Sequence, residues 1–211
     1  MTEAAIAVQG AAELQAGLED LLGPNQVLSN APDREFYSSD IFGSNHTASL
    51  VIRPRSREHL AAAIGMITAS AYSVVGRGGG ASYTGGYVPD RENSVVVDTT
   101  GLDRIVEINA DDMYVTVEAG VTWEKLYEAL EGCGLRTPFW GPLSGSVATV
   151  GGSVSQNSIL WGASGHGSSG ASVLSVEVVL ADGSVLNTGS AATGAKPFYR
   201  EYGPDLTGLV L

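Results

Sequence analysis

The stretch Tyr72-Ser73-Val74-Val75-Gly76-Arg77-Gly78-Gly79-Gly80-Ala81-Ser82-Tyr83-Thr84-Gly85-Gly86 decides how the rest of this chain is read. Tyr72 to Val75 is a short apolar run rich in β-branched residues, the pattern of a buried strand. It empties into a loop whose glycines reach positive φ at little steric cost. Backbone N–H groups in such a turn converge on one concavity and bind phosphate oxygens, and Arg77 and Ser82 add a charge and a hydroxyl. The plain alternative is a flexible surface turn, which a preceding buried strand disfavours. The expectation is a diphosphate site.

Two better-known phosphate motifs fail here. Gly76-x-Gly78-x-x-Ala81, with Asp98 about 20 residues on, satisfies the dinucleotide fingerprint letter by letter. That motif needs a helix opening at the glycines, and residues 81–94 hold Gly85, Gly86, Pro89, Asp90 and Asn93 with no helical apolar period. The P-loop pattern fails for want of a Gly-Lys-Ser/Thr. A nicotinamide-binding module is therefore disfavoured.

Composition narrows the class. With 44% hydrophobic and 16% charged residues, 211 residues suffice for one substantial core or two small subdomains. A net charge of -12 argues against nucleic acid or an anionic membrane as partner. No apolar run approaches a membrane span, and Met-Thr-Glu-Ala lacks the basic start of a signal peptide. The lone Cys133 excludes an internal disulfide and a cysteine metal cage; between Gly132 and Gly134 it reads as a turn residue. No metal site is expected, and the compartment is expected to be the cytoplasm.

Outward from the glycine loop, three segments follow. Residues 1–49 form a helical lead-in with Leu14, Leu18, Leu21 and Leu22 on one face and a stop at Gly23-Pro24; Asp33 to Asp40 reads as an ordered surface turn. Residues 50–101 read as β-α-β-loop-β: Leu50-Val51-Ile52, a helix capped by Ser56 that buries Leu60, Ile64 and Ile67, the strand at Val74, and Ser94 to Asp98. His59 on that helix is a solvated or capping residue. Residues 102–211 change character. Ile105–Ile108 and Tyr114–Glu118 pair through Asn109-Ala110-Asp111-Asp112, and a helix places Trp123, Leu126, Tyr127 and Leu130 on one side before Gly132. Gly141 to Gly170 reads as a long Gly/Ser-rich functional loop whose Ser155, Gln156 and Asn157 offer neutral donors. Ser172 to Leu180 reads as a long strand, turned at Ala181-Asp182-Gly183-Ser184 into Val185–Thr188. The final Thr207-Gly208-Leu209-Val210-Leu211 lacks a closing turn, as in an interrupted chain.

From Leu50 onward the chain resembles the FAD-binding domain of the vanillyl-alcohol oxidase / p-cresol methylhydroxylase superfamily. The matching pieces are Val51-x-x-Pro54, Val75 to Ser82, Val95-Val96-Val97-Asp98, Val117 to Val121, Thr149-Val150-Gly151-Gly152 and Glu177 to Gly183, in that order. The resemblance implies an α+β fold: a small parallel βαβ subdomain, then a mostly antiparallel sheet subdomain with helices, with FAD between them. It places the pyrophosphate on Arg77, Gly78, Gly79, Gly80, Ala81, Ser82 and Tyr83. It places the flavin and ribityl chain near Pro142, Leu143, Ser144, Ser146, Thr149, Gly151, Gly152, Ser155, Asn157, Ser158 and His166.

Departures sharpen what the resemblance implies. Members that attach flavin through a first-loop histidine carry it where this chain has Gly80-Ala81, so FAD is expected to be held non-covalently. The family's Tyr-Gly and following Asp read His166-Gly167 and Ala171, leaving His166 with either a flavin-facing or a loop-packing role. The segment and the substrate-binding cap that follow in the family are not in this sequence. No catalytic residue is assigned, since base and substrate clamp sit on that cap. A C-terminal cap domain, a partner subunit or a homo-oligomer is expected to complete the fold.

The expected activity is hydride transfer from a hydroxyl-bearing small molecule to FAD, then to oxygen or a carrier. The plain triple-glycine loop resembles the glycolate and D-lactate dehydrogenase branch, hence a 2-hydroxy acid. Leu186-Asn187-Thr188-Gly189 and Tyr199-x-x-Tyr202-Gly203-Pro204 suggest a para-substituted phenol or other alcohol instead. A non-catalytic flavin-binding subunit or fragment is the third possibility.

Overall fold

A strand apolar at every position has no polar face to offer water, so it must be covered on both sides. Val95, Val96 and Val97 meet that demand as the fully buried middle of β4 (Ser94–Asp98). The computed structural model describes residues 3–139, 141–200 and 203–211. It divides into two compact units, Met1–Gly101 with Val179–Ser184, and Leu102–Val178 with Val185–Leu211.

In the first unit four strands run β1 (Val27–Leu28), β2 (Leu50–Ile52), β4 and β3 (Ser73–Arg77) across the sheet. β1 is antiparallel to β2; β2–β4 and β3–β4 are parallel, with Val51 opposite Val96 and Arg77 opposite Asp98. Two apolar layers sandwich the sheet. Val95, Val97, Leu50 and Ile52 pack with Leu14 and Leu18 of α1 (Glu3–Leu22) and with Ala63, Ile64 and Ile67 of α3 (Arg57–Ala69). Val51 and Val96 face Ala48 and Tyr37. Each fully buried valine contributes about 1.5–3 kcal/mol of transfer free energy. α3 starts where Ser56 accepts from the His59 N–H, and α1 stops at Gly23, whose φ of +89° no β-branched residue would tolerate.

Three expectations change in this unit. Asp33 to Asp40 is no surface turn: Ala31–Tyr37 is a helix, α2, capped by the Asn30 side chain accepting from the Asp33 N–H, with Pro32 in its first turn. Val27–Leu28 pairs as a strand. The strand expected to be buried at Tyr72 to Val75 is β3 at the sheet edge, and Val74 is 36% exposed.

In the second unit β5 (Ile105–Asn109) and β6 (Tyr114–Val117) form an antiparallel pair with an irregularity between Ile105 and Glu107. α4 (Trp123–Glu131) begins at Thr122, which accepts from the Lys125 N–H, and buries Trp123, Leu126 and Leu130 against Val121, Phe139, Ala148 and Leu160. Tyr127 turns away and is exposed, contrary to expectation. The Gly141–Gly170 stretch is not one long loop, because Val150–Ser155 (α5) and Ala163–His166 (α6) are helical. Nor is Ser172 to Leu180 a long strand: Ser169–Ser172 is a 3-10 turn, leaving only β7 (Glu177–Val179) to pair with β8 (Val185–Asn187). The two units together make an α+β protein.

Candidate functional site

The parallel strand β3 delivers Arg77 to the top of the first unit, and the chain then runs without helix through residues 78–93. The backbone turns at Gly80, with φ of +66°, and folds back over the Arg77 side chain. A Cβ at position 80 would sit 2.6 Å from the guanidinium carbon and closer still to Nη2. That side chain is only 9% exposed. Its guanidinium carbon lies 5.3 Å from the ring of Phe36, 5.0 Å from Tyr37 and 5.1 Å from Tyr87. Its Nε is buried without a hydrogen-bond partner among the described residues.

Polar contacts hold the loop from both sides. The Tyr87 hydroxyl is 2.9 Å from the carbonyl oxygens of both Gly80 and Ser82, so its one proton is shared between them. Asp40 accepts from the Gly85 N–H at 3.0 Å and from the Phe42 N–H at 2.8 Å. The Ser82 and Thr84 hydroxyls lie 2.9 Å apart. Burial raises the pKa of Tyr37 and of Tyr87 above the ordinary phenol value, with Arg77 opposing, so both remain donors at neutral pH. Gly79, Gly80, Ala81, Ser82 and Tyr83 line an open cleft of about 480 Å³ together with Arg77; Gly78 is half-buried beside them.

Asp98, the apparent ribose ligand of the dinucleotide fingerprint, is committed elsewhere. It is buried at the end of β4 and accepts from Arg53 Nε at 3.0 Å, Thr100 N at 2.9 Å and Thr100 Oγ1 at 2.6 Å. No helix follows the glycines, so both halves of that motif are absent in space.

The second-unit candidates split into three places. Pro142 to Ser146 form a turn closed by Gly145 N–H to the Pro142 carbonyl, with Leu143 91% exposed and Ser144 accepting from the Ala148 N–H. Thr149 is buried, and its hydroxyl oxygen accepts from the Gly152 N–H, capping α5. Gly151 is required by packing, since a Cβ there would lie 2.6 Å from that of Ala119. Trp123, which sequence reasoning placed only in the core, ties the first two places together. Its Nε1–H donates to Ser153 Oγ at 2.8 Å while its Cβ faces Gly145. Asn157, with φ of +46°, accepts from the Gly170 N–H, and Ser158 donates its N–H to Ser153. Ser155 and His166 are exposed, the latter at the end of α6.

Sequence reasoning missed Phe36, Tyr37, Asp40 and Tyr87. The only sequence signal for them was the aromatic pair inside Asp33-Arg34-Glu35-Phe36-Tyr37-Ser38-Ser39-Asp40. Thr188 and Gly189, offered as signs of a phenol enzyme, are buried; Thr188 bonds to Val176 and Thr207, while Tyr202 lies outside the described residues. No cluster able to hold a metal occurs among the described residues. No helix among them is long and apolar enough to cross a membrane.

What the first-unit cleft can do chemically is bind an anion. Arg77, a buried cation with no carboxylate partner among the described residues, lies under a glycine turn that lines the same open cleft. A diphosphate fits that donor set.

Comparison with known proteins bears on which diphosphate. A family model described as an FAD binding domain matches residues 48–189. A D-lactate dehydrogenase of Archaeoglobus fulgidus is 35% identical over 141 residues, covering 66% of this chain and 31% of that protein. The mitochondrial D-lactate dehydrogenase (cytochrome) of Kluyveromyces lactis is 27% identical over 203 residues, 92% of this chain and 34% of that one. The solved p-cresol methylhydroxylase with substrate bound matches with a TM-score of 0.79 at 19% identity, over 96% of this chain and 40% of that chain. The fold is therefore of the p-cresol methylhydroxylase FAD-binding type, as the resemblance implied. The chain spans about a third of the length of these two curated relatives.

Proposed function

Because this chain belongs to the FAD binding domain family, we propose that it is the cofactor-holding part of a flavin-dependent oxidoreductase acting on a 2-hydroxy acid. The observation that carries the cofactor assignment is Arg77, a buried cation with no anionic partner among the described residues, beneath the glycine turn. The substrate class rests on the D-lactate dehydrogenases among the relatives. Bound FAD would accept a hydride from the carbon bearing the hydroxyl. This chain's own residues bind and orient: Arg77 and the backbone from Gly78 to Tyr83 hold the diphosphate. The neutral turn at Pro142–Ser146, the α5 head at Gly151 and Gly152, and Ser155, Asn157, Ser158 and His166 border the flavin. We assign residues 50–101 and 102–211 as the two cofactor-holding subdomains and residues 1–49 as the lead-in. FAD is held without a covalent bond, in line with Gly80-Ala81 where a histidine would be needed.

No residue of this chain is assigned to take a proton from the substrate; a cap domain or partner subunit is the proposed source of that group, and electrons leave to oxygen or a carrier. A cytoplasmic location accords with the acidic composition and the single cysteine. The test is anaerobic addition of D-lactate, glycolate or a 4-alkylphenol to FAD-loaded protein supplied with such a cap. Bleaching of the flavin band by a hydroxy acid supports the assignment. Bleaching by the phenol alone overturns the substrate class.

A further inference from the structure

Arg53, Arg57, Arg91, Arg104 and Arg200 each meet a carboxylate, at distances between 2.7 and 3.2 Å. Arg77 meets three aromatic rings instead. Removing a guanidinium from water without an anion is unfavourable, and ring quadrupoles offset only part of that cost. Among the described residues, the one acidic side chain lining the same cleft, Asp40, already accepts two backbone N–H groups. Charge and hydrogen-bonding capacity therefore remain over at Arg77, in a position fixed by residues far away in sequence.

We propose that Phe36, Tyr37 and Tyr87 are positioning residues that form an aromatic box around Arg77, holding its charge beneath the glycine turn to recognise the diphosphate of FAD. This rests on the cofactor assignment above and adds how the site obtains its affinity. Phe36 and Tyr37 come from α2, so that helix tunes a loop it never touches in sequence. Tyr87 acts twice, through its ring on Arg77 and through its hydroxyl on the Gly80 and Ser82 carbonyls. The wrapped turn at Gly80 then keeps the guanidinium from swinging out into solvent.

The test is a fluorescence titration of the full chain with FAD at several salt concentrations, beside a thermal melt of each variant. Phe36→Leu removes one ring face at a position 65% exposed, so its fold is retained; affinity should fall about two- to fivefold, and Phe36→Tyr should restore it. Tyr87→Phe keeps the ring and loses the clamp, with a loss of about fivefold or more. Arg77→Gln should flatten the salt dependence of binding; Arg77→Lys should restore the slope without full affinity. A merely structural role would shift melting and leave that slope unchanged. Phe36→Leu and Tyr87→Phe binding FAD as tightly as the parent, with an unaltered slope in Arg77→Gln, would overturn the box. Failure of the unsubstituted, folded chain to bind FAD would overturn the cofactor assignment, and this proposal with it.

Discussion

Gly80→Ala should weaken the first unit through the Arg77 side chain rather than through the ligand. Two costs add. An alanine held at φ of +66° loses roughly 1 kcal/mol against its preferred backbone regions. Its Cβ also falls 2.6 Å from the Arg77 guanidinium carbon, inside any real contact distance. The far end of an arginine usually yields at little cost, but this one is enclosed by three rings and a wrapped backbone. Displacing it weakens three cation–π contacts by about 0.5–1 kcal/mol each, so the combined loss is about 2.5–4 kcal/mol. Urea unfolding measures it, in a cycle with Arg77→Ala. With Arg77 truncated, Gly80→Ala should retain only the backbone part, roughly 1 kcal/mol. Strict additivity, or a single-variant loss under about 1 kcal/mol, would refute the interlock of Arg77 with its own loop.

Three further outcomes follow from other contacts. Gly151→Val places atoms within 2.7 Å of the Ala119 carbonyl oxygen, a backbone atom that cannot step aside, and should cost about 2–4 kcal/mol by chemical denaturation. Tyr37 and Tyr87 have pKa values raised by burial, so their contribution is complete below the ordinary phenol pKa of about 10 and is lost as pH rises through the higher folded values. Melting temperature and FAD affinity should accordingly hold on the neutral side of that point and fall above it; a decline beginning near neutrality would contradict this. Acid precipitation of FAD-loaded protein should leave all flavin in the supernatant, and a yellow pellet would show a covalent bond.

How much was legible in the residues depends on where each one's partners lie. β2 and the middle of β4 announce themselves because strands covered on both faces carry continuous apolar runs. The absence of a helix after Gly80 was equally plain from Pro89, Asp90 and Asn93. α2 stayed hidden because seven residues with a proline and three charges carry no helical period; Asn30 and Pro32 start it, and packing of Tyr37 on Val51 and Val96 keeps it. α5 is harder still. Its Val-Gly-Gly-Ser-Val-Ser sequence has poor helix propensity, and the Thr149 cap and the close seat of Gly151 on Ala119 impose the helix from outside. Arg77 was visible as a cation beside glycines, but its rings come from an upstream helix and from Tyr87 beyond the turn. No local pattern can report such a pairing.

The central claim is that the glycine turn over Arg77 takes the diphosphate of FAD. Competition against bound FAD tests it most directly, with ADP and riboflavin as the two halves of the cofactor. ADP carries the diphosphate and should displace FAD from the full chain, with that displacement weakened in Arg77→Gln. Riboflavin carries the ring and no phosphate, and should compete poorly at equal concentration. Riboflavin displacing FAD as well as ADP does, with Arg77→Gln indistinguishable from the parent, would contradict the account.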